Sequence, residues 1–233
     1  MKKLVSIVLF VLMFGGADAA TEKPIHEVVS DELTDETQIS LQGAGDEHVV
    51  MCWWIPIEFW QSLFSRDTDL TAAEKKSMLK TLKEVSLLAV VQADIDSSGQ
   101  FAFYSKEDVQ KSLSIAFKDG SGKRSRVNPL VKVNPDLQVV LGVFKPILGS
   151  AMGNLGQNFH FFVLGDKGSA DMRLLDPHQP GQLEFQLARK SGELMTGQIE
   201  MPLNSLYVPR KCPNGKDAHI SWKFCPWTGK ALD

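Results

Sequence analysis

The apolar positions of this chain fall into two patterns. The first is short and continuous, rich in β-branched and aromatic residues. It covers His48–Ile55 (HVVMCWWI), Ser86–Ile95 (SLLAVVQADI) and Asn158–Leu164 (NFHFFVL). Such runs predict strands, and the mostly unbroken 86–95 run predicts a central strand buried on both faces. The second pattern has helical spacing. Ile57, Trp60, Leu63 and Phe64 follow Pro56, which suits the first position of a helix. Met78, Leu79, Leu82 and Val85 follow Thr71-Ala72-Ala73-Glu74, a capping box. Leu137, Val140, Leu141, Phe144, Ile147 and Leu148 line a helix over Pro135–Gly149, with Pro146 as the place for a kink.

Ser105 and Asp108 open a short helix to about Leu113. Gln100–Tyr104 returns after the DSSG turn as a partner strand. Ser114–Lys118 and Arg126–Val133 form a hairpin around the basic loop DGSGKRS. Arg173–Leu175, Leu183–Ala188 and Thr196–Leu203 read as three more strands. There is no strict βαβ alternation, and the second half is rich in strands. The expected fold class is α+β, with helices packed on a largely antiparallel sheet. Its core should condense on Val49–Phe64, which holds three of the five tryptophans. Trp53 and Trp54 are consecutive, so on a strand they point to opposite faces. The outward one is a candidate binding residue.

Composition and charge divide the chain. Lys2 and Lys3, an eleven-residue apolar run (Leu4–Phe14) and Ala17-Asp18-Ala19 have the order of a signal peptide, residues 1–19. The run is shorter than the roughly 20 residues that span a bilayer, and no later segment predicts a membrane span. Cleavage near Ala19 places the mature protein outside the cytoplasm, in the periplasm or secreted. Residues 20–46 are acidic and lack a sustained apolar period. Between 21 and 47, eight carboxylates face Lys23 alone, a net charge of −7, which leaves residues 48–233 near +3. This segment is expected to be a flexible arm, followed by an α+β domain over 47–208 and a small unit over 209–233.

Candidate chemistry is thin. Asp94, Asp96 and Ser98, before Gly99, resemble the first half of a calcium loop, but position 12 is Ser105 rather than Glu. A hairpin turn explains the same residues. Gly120–Lys123 lacks the flanks of a phosphate loop, because Phe117 and Arg124 stand where Gly and Ser or Thr are needed. Lys123, Arg124 and Arg126 offer an anionic partner a contact. Asp176, His178 and His160 are the candidates for acid–base catalysis, and no G-x-S-x-G elbow supports serine chemistry. Cys52, in an apolar strand, reads as a small buried hydrophobe. The expected function is binding or interaction with an unknown protein or envelope component, without cofactor or nucleic acid. Two alternatives stand: an exported hydrolase using Asp176, His178 and His160, and a calcium- or zinc-stabilised module.

One segment has a recognisable pattern. Cys212-Pro213-x-Gly215 and Trp222-x-Phe224-Cys225-Pro226-x-x-Gly229-x-x-Leu232 resemble a small C-terminal zinc ribbon. That family holds one Zn²⁺ with four cysteines, two from each turn. Here each turn keeps its first cysteine, and Thr228 stands where a second would be. The resemblance implies that Cys212 and Cys225 lie face to face and bridge as a disulfide, which persists in an exported protein. Zinc with His219 as a third ligand, or free thiols, are the other arrangements it leaves open.

Overall fold

The run from Ser86 becomes the central strand of the largest antiparallel sheet among the described residues. A computed structural model describes residues 20–43, 45, 47–168 and 172–232. The leader 1–19 lies outside the described residues. In chain order the elements are α1 (Ser30–Thr37), β1 (Gln38–Ser40), β2 (His48–Ile55), α2 (Ile57–Arg66), α3 (Ala72–Leu82), β3 (Val85–Ile95), β4 (Phe101–Phe103), α4 (Lys106–Ser112), β5 (Ser114–Asp119) and β6 (Arg124–Val127). Then follow α5 (Pro135–Gln157), β7 (His160–Gly165), β8 (Gly181–Ala188), β9 (Leu194–Met201) and the short pair β10 (Arg210–Lys211) and β11 (Asp217–Ala218).

In the larger sheet β1, β2 and β3 lie side by side, and β3's far edge is shared. There β7 pairs with Val85–Val90 and β4 with Ala93–Ile95. Leu87 through Val91 are each 0% exposed. In the second sheet, ordered β6-β5-β8-β9, the strands alternate with period two. Leu183, Phe185 and Leu187 face inward with Met195 and Ile199, while Gln186 faces out. Both sheets are antiparallel and the helices are separate from them, so the α+β class holds.

The capping box forms as read: the Glu74 N–H donates to the Thr71 hydroxyl, and the Thr71 N–H to Glu74 Oε2 at 2.8 Å. Several other expectations change. Trp53 and Trp54 do point to opposite faces, but both faces are covered, leaving them 5% and 0% exposed. Trp53 packs edge-on against Phe59 and near Phe144, with centroids 5.4 and 5.8 Å away. Trp54 donates its indole N–H to Ser86 Oγ at 3.0 Å. Neither offers a binding surface. Helix α5 runs through Pro146 and breaks instead at Gly153, whose φ of 57° and ψ of −134° are not helical. Arg173–Leu175 is not a strand; Arg173 makes an isolated bridge with Lys167.

The acidic segment is the largest correction. Residues 20–43 belong to the body rather than to a flexible arm. Strand β1 pairs with β2, Gln42 bridges to Thr196 of β9, and Glu22 to Tyr207. Val28 and Leu33 are 1% and 0% exposed. The carboxylates hid an amphipathic turn: in α1 Leu33 and Thr37 are buried while Asp31, Glu32 and Asp35 face out. Gly197 gives this segment room on β9, since a Cβ there would lie 2.6 Å from Leu41 Cδ2 and 2.9 Å from Ile39 Cδ1. Leu33→Ala should therefore cost about 2–5 kcal/mol, as a core truncation does, in urea unfolding at constant slope. A change within about 0.5 kcal/mol, the range of surface substitutions, would mean that the segment is peripheral.

Candidate functional site

The aromatic helix α2 carries one acid, Glu58, and it is buried. It sits in the first turn of α2, where a carboxylate complements the helix dipole. Two loop residues beyond β7 complete a triad with it. Asp166 has a fully buried side chain, and Arg173 reaches between the two acids. Arg173 Nε and Nη2 both lie 2.7 Å from Asp166 Oδ2, Nη1 donates to Glu58 Oε1, and Nη2 also meets the Leu175 carbonyl at 3.3 Å. The other oxygen of Asp166 accepts the Leu175 N–H at 2.6 Å. Glu58 Oε2, by contrast, is buried without a hydrogen-bond partner.

Two carboxylates thus share one guanidinium. Burial pushes both acids above the ordinary carboxylate range, with Arg173 pulling the other way. Burial also works against the charge of Arg173, but Glu58 and Asp166 outweigh it and hold the guanidinium charged. Arg173 lines two clefts. One, of about 630 Å³, is bounded by Glu58, Gln61, Lys83, Lys167 and Arg173. The other, of about 760 Å³, runs from Arg173 past Asp176 to Phe117 and Lys123. Both have the size of small-molecule pockets. With its fork already occupied, Arg173 is a poor receptor for a further anion. The open valence belongs to Glu58.

A second polar cluster joins the two sheets. His48 Nδ1 lies 2.6 Å from Asp94 Oδ1, across the β2–β3 pair, and Arg189 Nη2 donates to the same oxygen at 2.9 Å. Gln92 Nε2 reaches His48 Nε2 at 3.2 Å and the Ala188 carbonyl at 3.2 Å. The bonds fit a neutral imidazole that donates from Nδ1 and accepts at Nε2. Burial lowers the affinity of His48 for a second proton despite Asp94. Burial also opposes the charge of Asp94, yet bonds from His48, Arg189 and Tyr104 hold its carboxyl below the usual range. The His48 side chain is 0% exposed, so the imidazole is sealed from solvent and the pair acts as a latch.

The expected catalytic residues do not come together. Asp176 accepts the backbone N–H of His178 at 2.9 Å, closing a turn, rather than orienting its ring. His178 Nδ1 lies 3.5 Å from Glu22 Oε1, an ion-pair distance without hydrogen-bond geometry, and its ring meets Tyr207 edge-on. His160 binds the Tyr104 carbonyl at 2.8 Å. The calcium residues are also engaged: Asp94 in the latch, and Asp96 accepting from the Ser98 N–H and hydroxyl and the Gln100 N–H. Among the described residues no three metal-ligating side chains converge. Arg124 pairs with Glu184 at 2.6 Å, whereas Lys123 and Arg126 are exposed. Cys52 is fully buried, and burial pushes its thiol far up. Cys212 and Cys225 are buried thiols about 2.9 Å apart.

No family model, curated protein or solved structure matches the chain. The site therefore has to be read from its own residues. The signal available for Glu58 was a single acid inside an aromatic helix. Asp166 and Arg173 carried none, since they stand in an ordinary polar loop.

Two expectations follow from these clusters. Arg173→Met leaves two carboxyls buried without their cation and should cost about 3–5 kcal/mol in urea unfolding, most of it recovered by adding Glu58→Gln and Asp166→Asn. A loss below about 1 kcal/mol would show the triad to be energetically uncoupled. The latch has a pH signature. Because folding lowers the pKa of His48, its contribution is complete above the ordinary value of 6.5 and is lost as pH falls below it. His48→Gln should flatten the stability profile between about pH 6.5 and 5, read as urea midpoints.

Proposed function

We propose that this is an exported protein that works by binding, and that its ligand enters the cleft beside Glu58 with a cationic or strongly hydrogen-bond-donating group. One observation carries the reading. Glu58 Oε2 is a buried carboxyl oxygen with no partner, on a residue lining a cleft of about 630 Å³. Buried polar atoms in folded proteins are nearly always paired, and an orphan in a cleft is a place for a ligand donor. A cation there would offset the burial that raises Glu58 and would release a proton as it binds, so binding should strengthen as pH rises.

Binding is favoured over hydrolysis because Asp176 holds the backbone N–H of His178 rather than its ring, and His160 is spent on the Tyr104 carbonyl. The export reading rests on Ala17-Asp18-Ala19 and the run before it. N-terminal sequencing of the protein recovered from its native cells should begin at Ala20; retention of Met1 would remove that part of the proposal.

The binding reading is tested by titrating the mature chain with arginine methyl ester and benzamidine, with acetate and phosphate as controls, while following the unfolding temperature. The two cations should raise it saturably, by the linkage of ligand to the folded state. Glu58→Gln should abolish the rise while leaving the unliganded protein folded. Stabilisation by the anions instead, or an unchanged response in Glu58→Gln, would overturn the proposal.

A further inference from the structure

The C-terminal unit holds a second chemistry, independent of the cleft at Glu58. Cys212 and Cys225 head two related turns, the second a residue longer than the first. Each cysteine N–H donates to a carbonyl beyond the turn, that of Lys216 or Lys230, at 2.8 Å. The Gly215 and Gly229 N–H groups return to the Cys212 and Cys225 carbonyls, also at 2.8 Å. The glycines adopt φ of 82° and 67°, the left-handed region that side chains avoid. The two turns place the sulfurs against each other. Around them the core is small: Cys212, Ala218 and Cys225 are buried, with Trp222 and Leu232 packed on them. The unit is tied to the body by the Ile220 N–H on Asn204 Oδ1 at 2.9 Å and braced within itself by Arg210 Nη1 on the Ile220 carbonyl at 3.0 Å.

The surroundings of the two sulfurs differ. Cys225 receives the Thr228 hydroxyl, the backbone N–H groups of Trp227 and Thr228, and the Cys212 thiol. These donors stabilise a thiolate. Cys225 is also the one buried residue between 223 and 230, so its cover is a single layer. Cys212 has only its partner sulfur and a more distant Arg210.

We infer that Cys212 and Cys225 are a reversible thiol–disulfide couple, with Cys225 as the attacking sulfur and Cys212 as the resolving one. Burial opposes the Cys225 thiolate, but its donors outweigh burial and bring it to about 7; burial and then the neighbouring sulfur push Cys212 up to about 11. An attacking thiol works best with a pKa near ambient pH. The oxidant is a disulfide, RSSR. The Cys225 thiolate attacks one of its sulfurs, forming Cys225–S–S–R and expelling RS⁻. Cys212 then loses its proton to solvent and attacks the Cys225 sulfur, and the second RS⁻ leaves. Two protein thiols and RSSR become one protein disulfide and two RSH, and excess RSH drives the steps backwards.

The test uses the mature full chain with Cys52→Ser, equilibrated in glutathione buffers of graded oxidation, quenched in acid, alkylated and mapped by mass spectrometry. The 212–225 pair should pass from dithiol to disulfide within that series. Adding Cys212→Ser should trap glutathione on Cys225, and adding Cys225→Ser should trap at least tenfold less on Cys212. A pair that stays oxidised throughout is a permanent staple, one that never oxidises is inert, and equal trapping removes the assigned roles; each overturns the inference. If either serine variant fails to fold by its tryptophan spectrum, alkylation rates of the reduced parent decide. Cys225 must then react faster than Cys212.

Discussion

A strand with no exposed face sets the terms for everything around it. Leu87 to Val91 are wholly buried, so β3 needs a hydrogen-bonded neighbour on each edge and apolar cover on each side. Strand β2 supplies one edge along its whole length, and β7 and β4 divide the other. The aromatic block follows from the cover requirement. Trp54 fills one face of β2, while Trp53 on the other meets Phe59 of α2 and Phe144 of α5. The second sheet and α1 close what remains.

Where that apolar interior ends, polar groups enter in pairs. At one end of β3, Gln92 and Asp94 meet His48 and reach the β8–β9 turn through Ala188 and Arg189. Beside the other end, the Asp166 N–H donates to the Glu84 carbonyl at 2.9 Å, and Asp166 joins Arg173 and Glu58. Each cluster leaves one buried oxygen unpaired, Gln92 Oε1 in the first and Glu58 Oε2 in the second, but the acids differ. Asp94 is held by His48, Arg189 and Tyr104 and gains acidity from them. Glu58 has one oxygen satisfied and one not, and burial has the stronger hold on it. The first cluster is the structural one and the second borders the cleft of the proposed ligand, although the His–Asp pair has the more familiar catalytic appearance. Access separates them: the imidazole is sealed, and the carboxyl lines a cleft.

The sequence revealed the parts whose signal is local. The continuous apolar runs became β2, β3 and β7, and Thr71 with Glu74 capped α3 as read. It misled where one local signal masked another. The carboxylates of residues 22–36 gave the composition of a solvated arm, yet burial of α1 depends on few residues, chiefly Leu33 and Thr37. Consecutive tryptophans did alternate in direction, but alternation says nothing about what covers each face. The triad was the least legible part, because Glu58 and Arg173 are 115 positions apart and meet only through the fold. Asp176 and His178 drew attention as neighbours, and as neighbours they form a turn.

The C-terminal unit shows the same principle at small scale. Its turns place two sulfurs together with related backbone patterns, the one at Cys225 a residue longer. What distinguishes them is the extra residue of the longer turn. Between Cys225 and Gly229 the chain carries Thr228, whose hydroxyl and backbone N–H stabilise the sulfur. Between Cys212 and Gly215 no such residue stands. That one insertion divides the pair into a nucleophile and its resolving partner. A permanent staple would gain nothing from that asymmetry, since both sulfurs of a disulfide are uncharged. The donors at Cys225 have an effect only while the thiolate exists, which ties the arrangement to exchange.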